Sequence, residues 1–395
     1  MDLRLYYDNS YLYVFRSRVT GSRQDGRGTW VRLEDSAFYP EVGGQPADAG
    51  TLDGQAVLDV QEDAAGDVWH LVAAQVEGDV EGAVDPVRRL DHMQQHSAQH
   101  IASEAVRRVI GRETISFHTG AEVSTFDIAG RAAPDLEELS RAEELANRIV
   151  MEDRPITVRF VDAEELGRLG LRAAEKVRPP YRIVEVEDFD LNPCGGTHPR
   201  RTGEVGPIKL YPGEPEHEGF RIRFYAGARA VRDHARRADE LRRAAVLLGV
   251  APEEVATVVG TRLTELTLLR RSAEHYRKQL LDREADELAQ TAAGGLVAQA
   301  FPGRGAQELR ELAARLSSRG VRLVVLTGTV DSGGALIVGR PAGDGPHLGR
   351  FVQTLCAALG GRGGGGEAQA QAVLPLPADD LLAAALDRLS PARDD

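Results

Sequence analysis

The hydrophobic period of the chain changes near residue 89, and this change constrains the fold more than any other feature. Residues 1–88 carry short runs of alternating apolar and polar residues, such as TWVRL, AVLDV and VWHLV, separated by Gly, Asp and Asn. A period of two between turn residues is typical of a small β-barrel or sandwich. From Leu90 to Gly111 the apolar residues recur at helical spacing, and we predict a helix capped by Asp91. The N-terminal region is therefore predicted to differ in fold class from the region after residue 89.

The rest of the chain extends this prediction to an α+β multidomain protein with four parts. Residues 1–88 are predicted to form a β-barrel, and residues 89–230 a two-layer α+β domain of helices and paired strands. Residues 231–292 are rich in helix-forming residues and predict a helical hairpin or coiled-coil arm. Residues 293–395 alternate strands with helices and predict an α/β domain with a Gly-rich loop, GGRGGGGEAQAQ, at 360–371.

An apolar seam is predicted along the second half of the helical arm. Its members are spaced three and four residues apart: Leu266, Leu269, Ala273, Tyr276 and Leu280. This spacing is typical of a coiled coil or a helical hairpin. The pattern leaves two roles open, a homodimer formed through the arm or the C-terminal domain, and a monomeric spacer.

Composition excludes several classes of protein. The chain of 395 residues is 42% hydrophobic and 28% charged, which is ordinary for a globular protein and rules out a mainly disordered one. It has neither the run of about 20 apolar residues that a membrane span needs nor the pattern of a signal peptide. Two cysteines suit a reducing, cytoplasmic setting. A net charge of −13 argues against indiscriminate nucleic-acid binding but not against a shaped RNA partner.

Two pairs of metal-ligating residues stand out in the second part of the chain. His96 and His100 are four residues apart on the predicted helix, so both imidazoles lie on one face. Cys194 and His198 have the same spacing in the Gly-containing segment CGGTH. Three His and one Cys are a donor set that suits tetrahedral zinc. His92 is a competing ligand, and the motif does not decide between a structural and a catalytic metal.

The sequence motifs around these residues resemble a known family. HSAQH at 96–100, CGGTH at 194–198 and the following TGEVGPIKL resemble the editing domain shared by alanyl-tRNA synthetases and the free-standing AlaX editing proteins. FYPEVGGQPADAG at 38–50 resembles the Gly-rich motif of the barrel before that domain, and GGRGGGGEAQAQ resembles the Gly-rich motif of the DHH-associated domain. The order of these blocks is that of the long form of AlaX.

The resemblance implies a zinc-dependent hydrolase that removes wrongly attached Ser, and also Gly, from tRNA(Ala). Such editing is needed because a pocket for alanine cannot exclude glycine and rejects an added hydroxyl only weakly. Carried over by residue, the zinc ligands are His96, His100, Cys194 and His198. Since the sequence begins at the barrel, we expect no aminoacylation activity. Glu367 stands where phosphoesterase relatives carry His, so a phosphoesterase is not expected either.

Further site residues are predicted around the zinc ligands. The catalytic or serine-binding candidates are Gln45, Thr119 and Thr125, with Ser116, His118 and a general base at Glu41 as weaker ones. Substrate contacts are predicted at Gly43 and Gly44 in the barrel loop, and tRNA contacts at Arg362, Gly363, Gly364 and Gly365 in the C-terminal Gly run. Glycine allows close approach of the backbone to phosphates and bases.

Two other functions are compatible with the sequence. A noncatalytic tRNA-binding protein stapled by structural zinc would use the same four ligands, because structural zinc sites are closed and tetrahedral. A metal-dependent esterase acting on a small substrate is the other alternative, but such an enzyme would have no use for the long helical and Gly-rich extension.

Overall fold

The computed structural model describes residues 3–169, 171, 179, 181–331, 333–341 and 347–389. The chain forms two compact units, residues 1–252 and 253–395. The predicted mixed α+β multidomain architecture is confirmed. The predicted division into four parts stays a prediction.

The first unit begins with a closed six-stranded barrel. Before it lie β1 (Leu3–Arg4) and α1 (Leu5–Asp8), and β1 pairs in parallel with β4 (Asp35–Ser36). The barrel strands, in the order β2-β3-β7-β6-β5-β8, are β2 (Val14–Asp25), β3 (Gly28–Leu33), β5 (Gly50–Leu52), β6 (Gln55–Glu62), β7 (Val68–Val72) and β8 (Asp79–Val84). Alternate residues point inward, and Val31, Val60 and Val72 are fully buried there. The barrel expected from the alternating pattern is confirmed.

The long loop between β4 and β5 contains the Gly-rich motif and is anchored by buried polar contacts. The Asp48 carboxylate accepts a hydrogen bond from the Tyr39 backbone N–H and forms an ion pair with Arg89. Both side chains of this pair are fully buried. Arg89 also donates to the backbone oxygens of Ser10 and Ala37. The first turn of the helix after the barrel is thereby fixed to the barrel loop.

That helix, α2 (Pro86–Ile110), begins earlier than predicted. Its N-cap is Asp85, whose carboxylate accepts from the backbone N–H groups of Val87 and Arg88, and Pro86 occupies the first helical position. The prediction of Asp91 as the cap was wrong, because Asp91 lies inside the helix and pairs with Arg229. The helix ends at Gly111 in the left-handed conformation, as predicted.

The remainder of the first unit covers α2 with two sheets. A four-stranded sheet has the order β14-β15-β10-β9, and a three-stranded sheet the order β11-β12-β13. The elements, in chain order, are β9 (Thr114–Thr119), β10 (Ser124–Ala129), α3 (Leu136–Met151), β11 (Ile156–Val161), α4 (Ala163–Leu169), β12 (Tyr181–Val186), β13 (Asp190–Pro193), β14 (Ile208–Glu216), β15 (Gly219–Ala226) and α5 (Gly227–Leu248). One apolar core joins α2, α3 and both sheets, with Ile101, Phe126 and Ile222 fully buried.

The second unit combines one long helix with a five-stranded sheet. The helix is α6 (Val255–Gln290), and the sheet has the order β16-β17-β18-β20-β19. The other elements, in chain order, are β16 (Leu296–Phe301), α7 (Ala306–Ser318), β17 (Leu323–Val330), β18 (Gly333–Gly339), α8 (Leu348–Leu359), β19 (Arg362–Gly365), β20 (Gln369–Leu374) and α9 (Ala378–Leu389). The seam residues Leu269, Tyr276 and Leu280 are exposed on α6, so their pairing in a coiled coil stays a prediction.

The Gly run of the second unit differs from the predicted loop. Residues Arg362–Gly365 form a strand that pairs antiparallel with β20. A Cβ at Gly363 would lie 2.6 Å from the Ala372 Cβ and 2.7 Å from Val352, so only glycine lets this strand approach its neighbours so closely. Glycine is therefore needed at position 363 for the strand to pack against its neighbours.

No single helix within the described part of the chain is long and apolar enough to cross a membrane. Two consecutive segments, Gly227–Leu248 and Pro252–Gln290, meet the same test only when taken together, by length and composition alone.

Candidate metal centre and its cavity

Four side chains from a helix and a distant loop converge in the first unit. His96 and His100 lie on one face of α2, and Cys194 and His198 lie in the loop after β13. One ligand atom from each lies within 4.8 Å of all the others. The Cys194 Sγ lies 3.2 Å from His96 Nε2 and 3.3 Å from His198 Nε2. Since metal–nitrogen and metal–sulfur bonds of zinc are about 2.0–2.3 Å long, one ion fits between these atoms.

Gln45 from the barrel loop orients the first imidazole. Its Oε1 lies 2.8 Å from His96 Nδ1 and accepts a hydrogen bond from the Thr197 backbone N–H, while its Nε2 donates to Thr197 Oγ1. Because the Thr197 N–H can only donate, the amide oxygen must face His96, whose Nδ1 then carries the proton. The unprotonated Nε2 is directed at Cys194, as metal ligation requires.

The other two imidazoles have partners of the same kind. His100 Nδ1 lies 3.0 Å from an Asp190 carboxylate oxygen, and His198 Nδ1 lies 2.8 Å from Ser97 Oγ. A metal-binding histidine usually donates its second ring N–H to such an acceptor, which sets the tautomer and the ring orientation. All three imidazoles are therefore held with Nε2 toward the common centre.

The side chains of the cluster shift one another's pKa values. Burial raises the pKa of the Cys194 thiol, but the adjacent imidazoles of His96, His198 and His100 outweigh it and hold that pKa well below its usual range. Burial lowers the pKa of His198 to about 3. Burial also opposes protonation of His100, yet the Asp190 carboxylate and Cys194 raise its pKa to about 10. The thiolate form that binds metals is thus the favoured form of Cys194.

Two features fix the position of the CGGTH loop, hydrogen bonds to its backbone from β12 and a close approach of one glycine to α2. The Arg182 guanidinium donates through Nη1 to the backbone oxygens of Cys194 and Gly196. A Cβ at Gly196 would lie 2.2 Å from the His96 ring, whereas one at Gly195 would find its nearest neighbour, the Tyr7 hydroxyl, at 3.6 Å. The second glycine of the motif is therefore required by close approach to a metal ligand, and the first is not.

The cluster forms part of the wall of a cavity of about 570 Å³. His96, His100 and Cys194 line it, while His198 does not. Aromatic side chains from the N-terminal segment, the barrel loop and β9 also line the cavity: Tyr7, Tyr39 and Phe117. Polar side chains from α2 and β13 line it as well: Gln99, Ser103, Glu104, Asp190 and Asn192. A metal ion bound by the cluster would therefore be next to a space large enough for an organic ligand.

The structure gathers some of the other predicted residues around this cavity. Gly43 and Ser116 line it, and Gly44 accepts a hydrogen bond from the Thr119 backbone N–H. Thr119 is fully buried beside the cavity wall. Thr125 pairs with His118 rather than with Thr119, so the two threonines point to opposite faces of the sheet. Neither threonine lines the cavity.

Other predicted residues lie elsewhere. His92 is outside the ligand cluster and lines a second cavity, so it does not compete for the metal in this arrangement. Arg362, Gly363, Gly364 and Gly365 belong to the second unit, and their contact with tRNA stays a prediction. Gln45 is fully buried, and both atoms of its amide are engaged by His96 and Thr197. Gln45 therefore orients His96, and the catalytic role expected for Gln45 stays a prediction.

Sequence reasoning missed three of the residues that support the ligands. Asp190 lies four residues before Cys194, and Ser97 directly follows His96, so both were available as neighbours of recognised ligands. Arg182 carried no such signal, because it lies on β12 within an ordinary alternating strand. Its contact with the CGGTH loop appears only when β12 and β13 pair.

Two protein families and alanine–tRNA ligases from several organisms match this chain. The family described as the threonyl and alanyl tRNA synthetase second additional domain matches residues 181–223, and the DHHA1 domain matches residues 293–390. The alanine–tRNA ligases of Korarchaeum cryptofilum and Methanopyrus kandleri are each 33% identical to the chain, over 91% and 93% of it. That of Halobacterium salinarum is 34% identical over 98% of it.

The chain spans less than half the length of these relatives, 42% of the first two and 44% of the third. The matched second additional domain contains Cys194 and His198, and the DHHA1 match contains the Gly run. These matches support an AlaX-like protein related to the editing and C-terminal parts of alanyl-tRNA synthetase.

Proposed function

We propose that the protein is a zinc-dependent aminoacyl-tRNA deacylase that hydrolyses Ser-tRNA(Ala) and Gly-tRNA(Ala). The observation that carries the proposal is the position of the ligand cluster in the wall of the 570 Å³ cavity. Similarity to alanine–tRNA ligases supports a role in alanyl-tRNA editing. The proposal adds the metal, the ester bond and the amino acids removed.

The donor set favours zinc among the common metals. Three imidazole nitrogens and one thiolate are borderline-to-soft ligands, and their close spacing suits tetrahedral coordination. His96, His100, Cys194 and His198 would hold the ion, with Gln45, Asp190 and Ser97 orienting the rings. When bound, zinc would act as a Lewis acid or position the ester.

The cavity supports catalysis over a purely structural zinc. Four protein ligands are also what structural zinc sites have, but three of the four ligands here line an accessible space. The noncatalytic tRNA-binding alternative does not require that space. A volume of about 570 Å³ also exceeds what a serine side chain alone would fill, and it suits an aminoacyl group together with part of the terminal nucleoside.

Polar side chains on the cavity wall can contact an aminoacyl ester. The two carboxylates beside the ligand cluster, Asp190 and Glu104, already have partners in His100 and in two arginines of α2. Gln99 and Ser103, which are hydrogen-bonded to each other, offer polar contacts for a serine hydroxyl. These residues replace Thr119 and Thr125 as our candidates for recognising serine, because the two threonines do not line the cavity.

The test is release of labelled amino acid from Ser-tRNA(Ala), Gly-tRNA(Ala) and Ala-tRNA(Ala). We expect the intact protein to release Ser and Gly faster than Ala, and Cys194→Ala to release none of them. Cys356→Ala is the matched control, because Cys356 is buried in the second unit and lies outside the ligand cluster. Bound zinc is measured in all three proteins.

Two results would contradict the proposal. Full hydrolysis by a Cys194→Ala protein that has lost its zinc would remove the metal from the reaction. Tight binding of tRNA with no ester cleaved by the zinc-loaded protein would instead favour the noncatalytic tRNA-binding function.

A further inference from the structure

We propose that a second cavity, at the start of α2, binds the phosphodiester backbone of the RNA strand whose 3′ end enters the metal cavity. This inference rests on the proposed function and names the part of the protein that holds the acceptor strand. The cavity has a volume of about 620 Å³ and lies entirely within the first unit. Its wall is formed by the barrel, α2 and the beginning of α5, and includes Tyr13, Pro46, Arg88, His92 and Arg232.

The charges around this cavity leave positive groups available. Of the two carboxylates in its wall, Asp85 caps α2 and Asp91 is paired with Arg229. Arg88 donates to the backbone oxygen of Ala47, and neither Arg88 nor Arg232 has an ion pair among the described residues. Both of these side chains belong to exposed residues. In a chain with a net charge of −13, a cavity that keeps two such arginines suits an anionic ligand.

A buried histidine supports the same interpretation. His92 is only 2% exposed, and its Nδ1 has no hydrogen-bond partner among the described residues although it lines the cavity. A buried polar atom without a partner is costly unless a ligand or water satisfies it. A phosphate oxygen or a ribose hydroxyl would supply that partner. Tyr13, in the same wall, offers a ring for contact with a base.

The two cavities are neighbours along α2 and along the barrel loop. Gly43 lines the metal cavity, Gln45 contacts His96, and Pro46 lines the second cavity. From Arg88 to His96 the helix rises about 12 Å, at about 1.5 Å per residue. This length matches about three stacked nucleotides at about 3.4 Å each. On this proposal, a single-stranded 3′ end at the ligand cluster would have its preceding phosphates at the second cavity.

The experiment compares a full tRNA substrate with a minimal one. Hydrolysis of Ser-tRNA(Ala) and of 3′-O-seryladenosine is measured for the intact protein, for Arg88→Ala, for Arg232→Ala and for the double variant. Arg141→Ala is the matched control, because Arg141 is an exposed arginine on α3 that does not line the cavity. We expect each cavity variant to raise KM for the tRNA about tenfold with kcat retained, and to leave the nucleoside ester unaffected.

Salt dependence gives an independent measure of phosphate contact. For each arginine removed, the slope of log K for uncharged tRNA against log salt concentration should decrease by about 0.7–0.9. Equal KM values and equal slopes in the cavity variants and Arg141→Ala would overturn the inference. If the intact protein hydrolyses neither ester, the proposed function fails. Binding of uncharged tRNA then tests the second cavity by itself. Weaker binding by the Arg88 and Arg232 variants than by Arg141→Ala supports the inference, and equal binding by all variants refutes it.

Discussion

Replacing Gln45 tests whether the barrel contributes to the metal centre through orientation. The side chain is fully buried and joins His96 to Thr197, so Gln45→Leu removes three hydrogen bonds while keeping a similar volume. His96 keeps its place on α2 but loses the acceptor that sets its tautomer. The change therefore acts on the metal centre without removing any ligand.

Gln45→Leu should weaken both zinc binding and the stability of the fold, for two separate reasons. Loss of an acceptor that orients a metal-bound histidine typically weakens metal affinity about 10–100-fold, which is about 1.4–2.8 kcal/mol of binding free energy. The buried Thr197 N–H is also left without an acceptor, and such a group lowers the free energy of unfolding by about 1–3 kcal/mol. We expect both effects in Gln45→Leu.

Gln45→Glu is the matched control. A carboxylate at this position accepts from His96 Nδ1 and from both the backbone N–H and the hydroxyl of Thr197, so zinc affinity should stay within a few-fold of the original protein. Affinity is measured by competition with a chromogenic chelator, and stability by urea unfolding of the metal-free protein.

Two outcomes would contradict the reasoning. Unchanged zinc affinity in Gln45→Leu would show that the barrel loop does not orient His96. A Gln45→Glu protein that binds zinc normally but no longer cleaves the ester would instead support the catalytic role predicted for Gln45 from the sequence.

Three further substitutions test the CGGTH loop, the buried ion pair of the barrel loop and the dependence of stability on pH. Gly196→Ala should abolish zinc binding because its Cβ would overlap a ligand ring, whereas Gly195→Ala should retain it, as measured by metal content. Arg89→Met should lower the free energy of unfolding in urea by about 3–5 kcal/mol because the Asp48 carboxylate stays buried without its cation, and adding Asp48→Asn should recover much of the loss. Burial lowers the pKa of His70 from 6.5 to about 4, so the unfolded chain takes up the proton first and stability falls as pH drops from 6.5 to about 4. Over this pH range the free energy of unfolding should fall by roughly 3 kcal/mol because of His70, and His70→Asn should remove this fall. Equal slopes of unfolding free energy against pH in the two proteins would refute the prediction.

Local patterns account for much of the fold. The alternation in residues 1–88 predicted a barrel because strand pairing buries every second side chain, and the closed barrel contains β2 to β8 except β4. Residue preferences were less reliable for predicting where helices begin. Asp85 and Asp91 are both acceptable caps by residue type, and Pro86 together with the ion pair between Asp91 and Arg229 decides between them.

The Gly run shows a different limit of sequence reasoning. Its composition predicted a loop because glycine has a high conformational freedom in the unfolded chain. In the folded unit the same residues are held by backbone hydrogen bonds to β20 and by close contact at Gly363. Packing across the sheet determines the conformation there, and no local signal reports it.

The sequence by itself determined which four side chains can meet at a metal, because the spacing His96–His100 places two imidazoles on one helical face and CGGTH repeats that spacing. Only the tertiary structure decided what surrounds them. Gln45, Asp190 and Arg182 reach the cluster from a barrel loop and two paired strands. Thr119 and Thr125 lie on opposite faces of their sheet, and neither lines the cavity. The physical reason is that periodicity specifies the face on which a residue lies, whereas contacts between faces depend on how distant elements pack together.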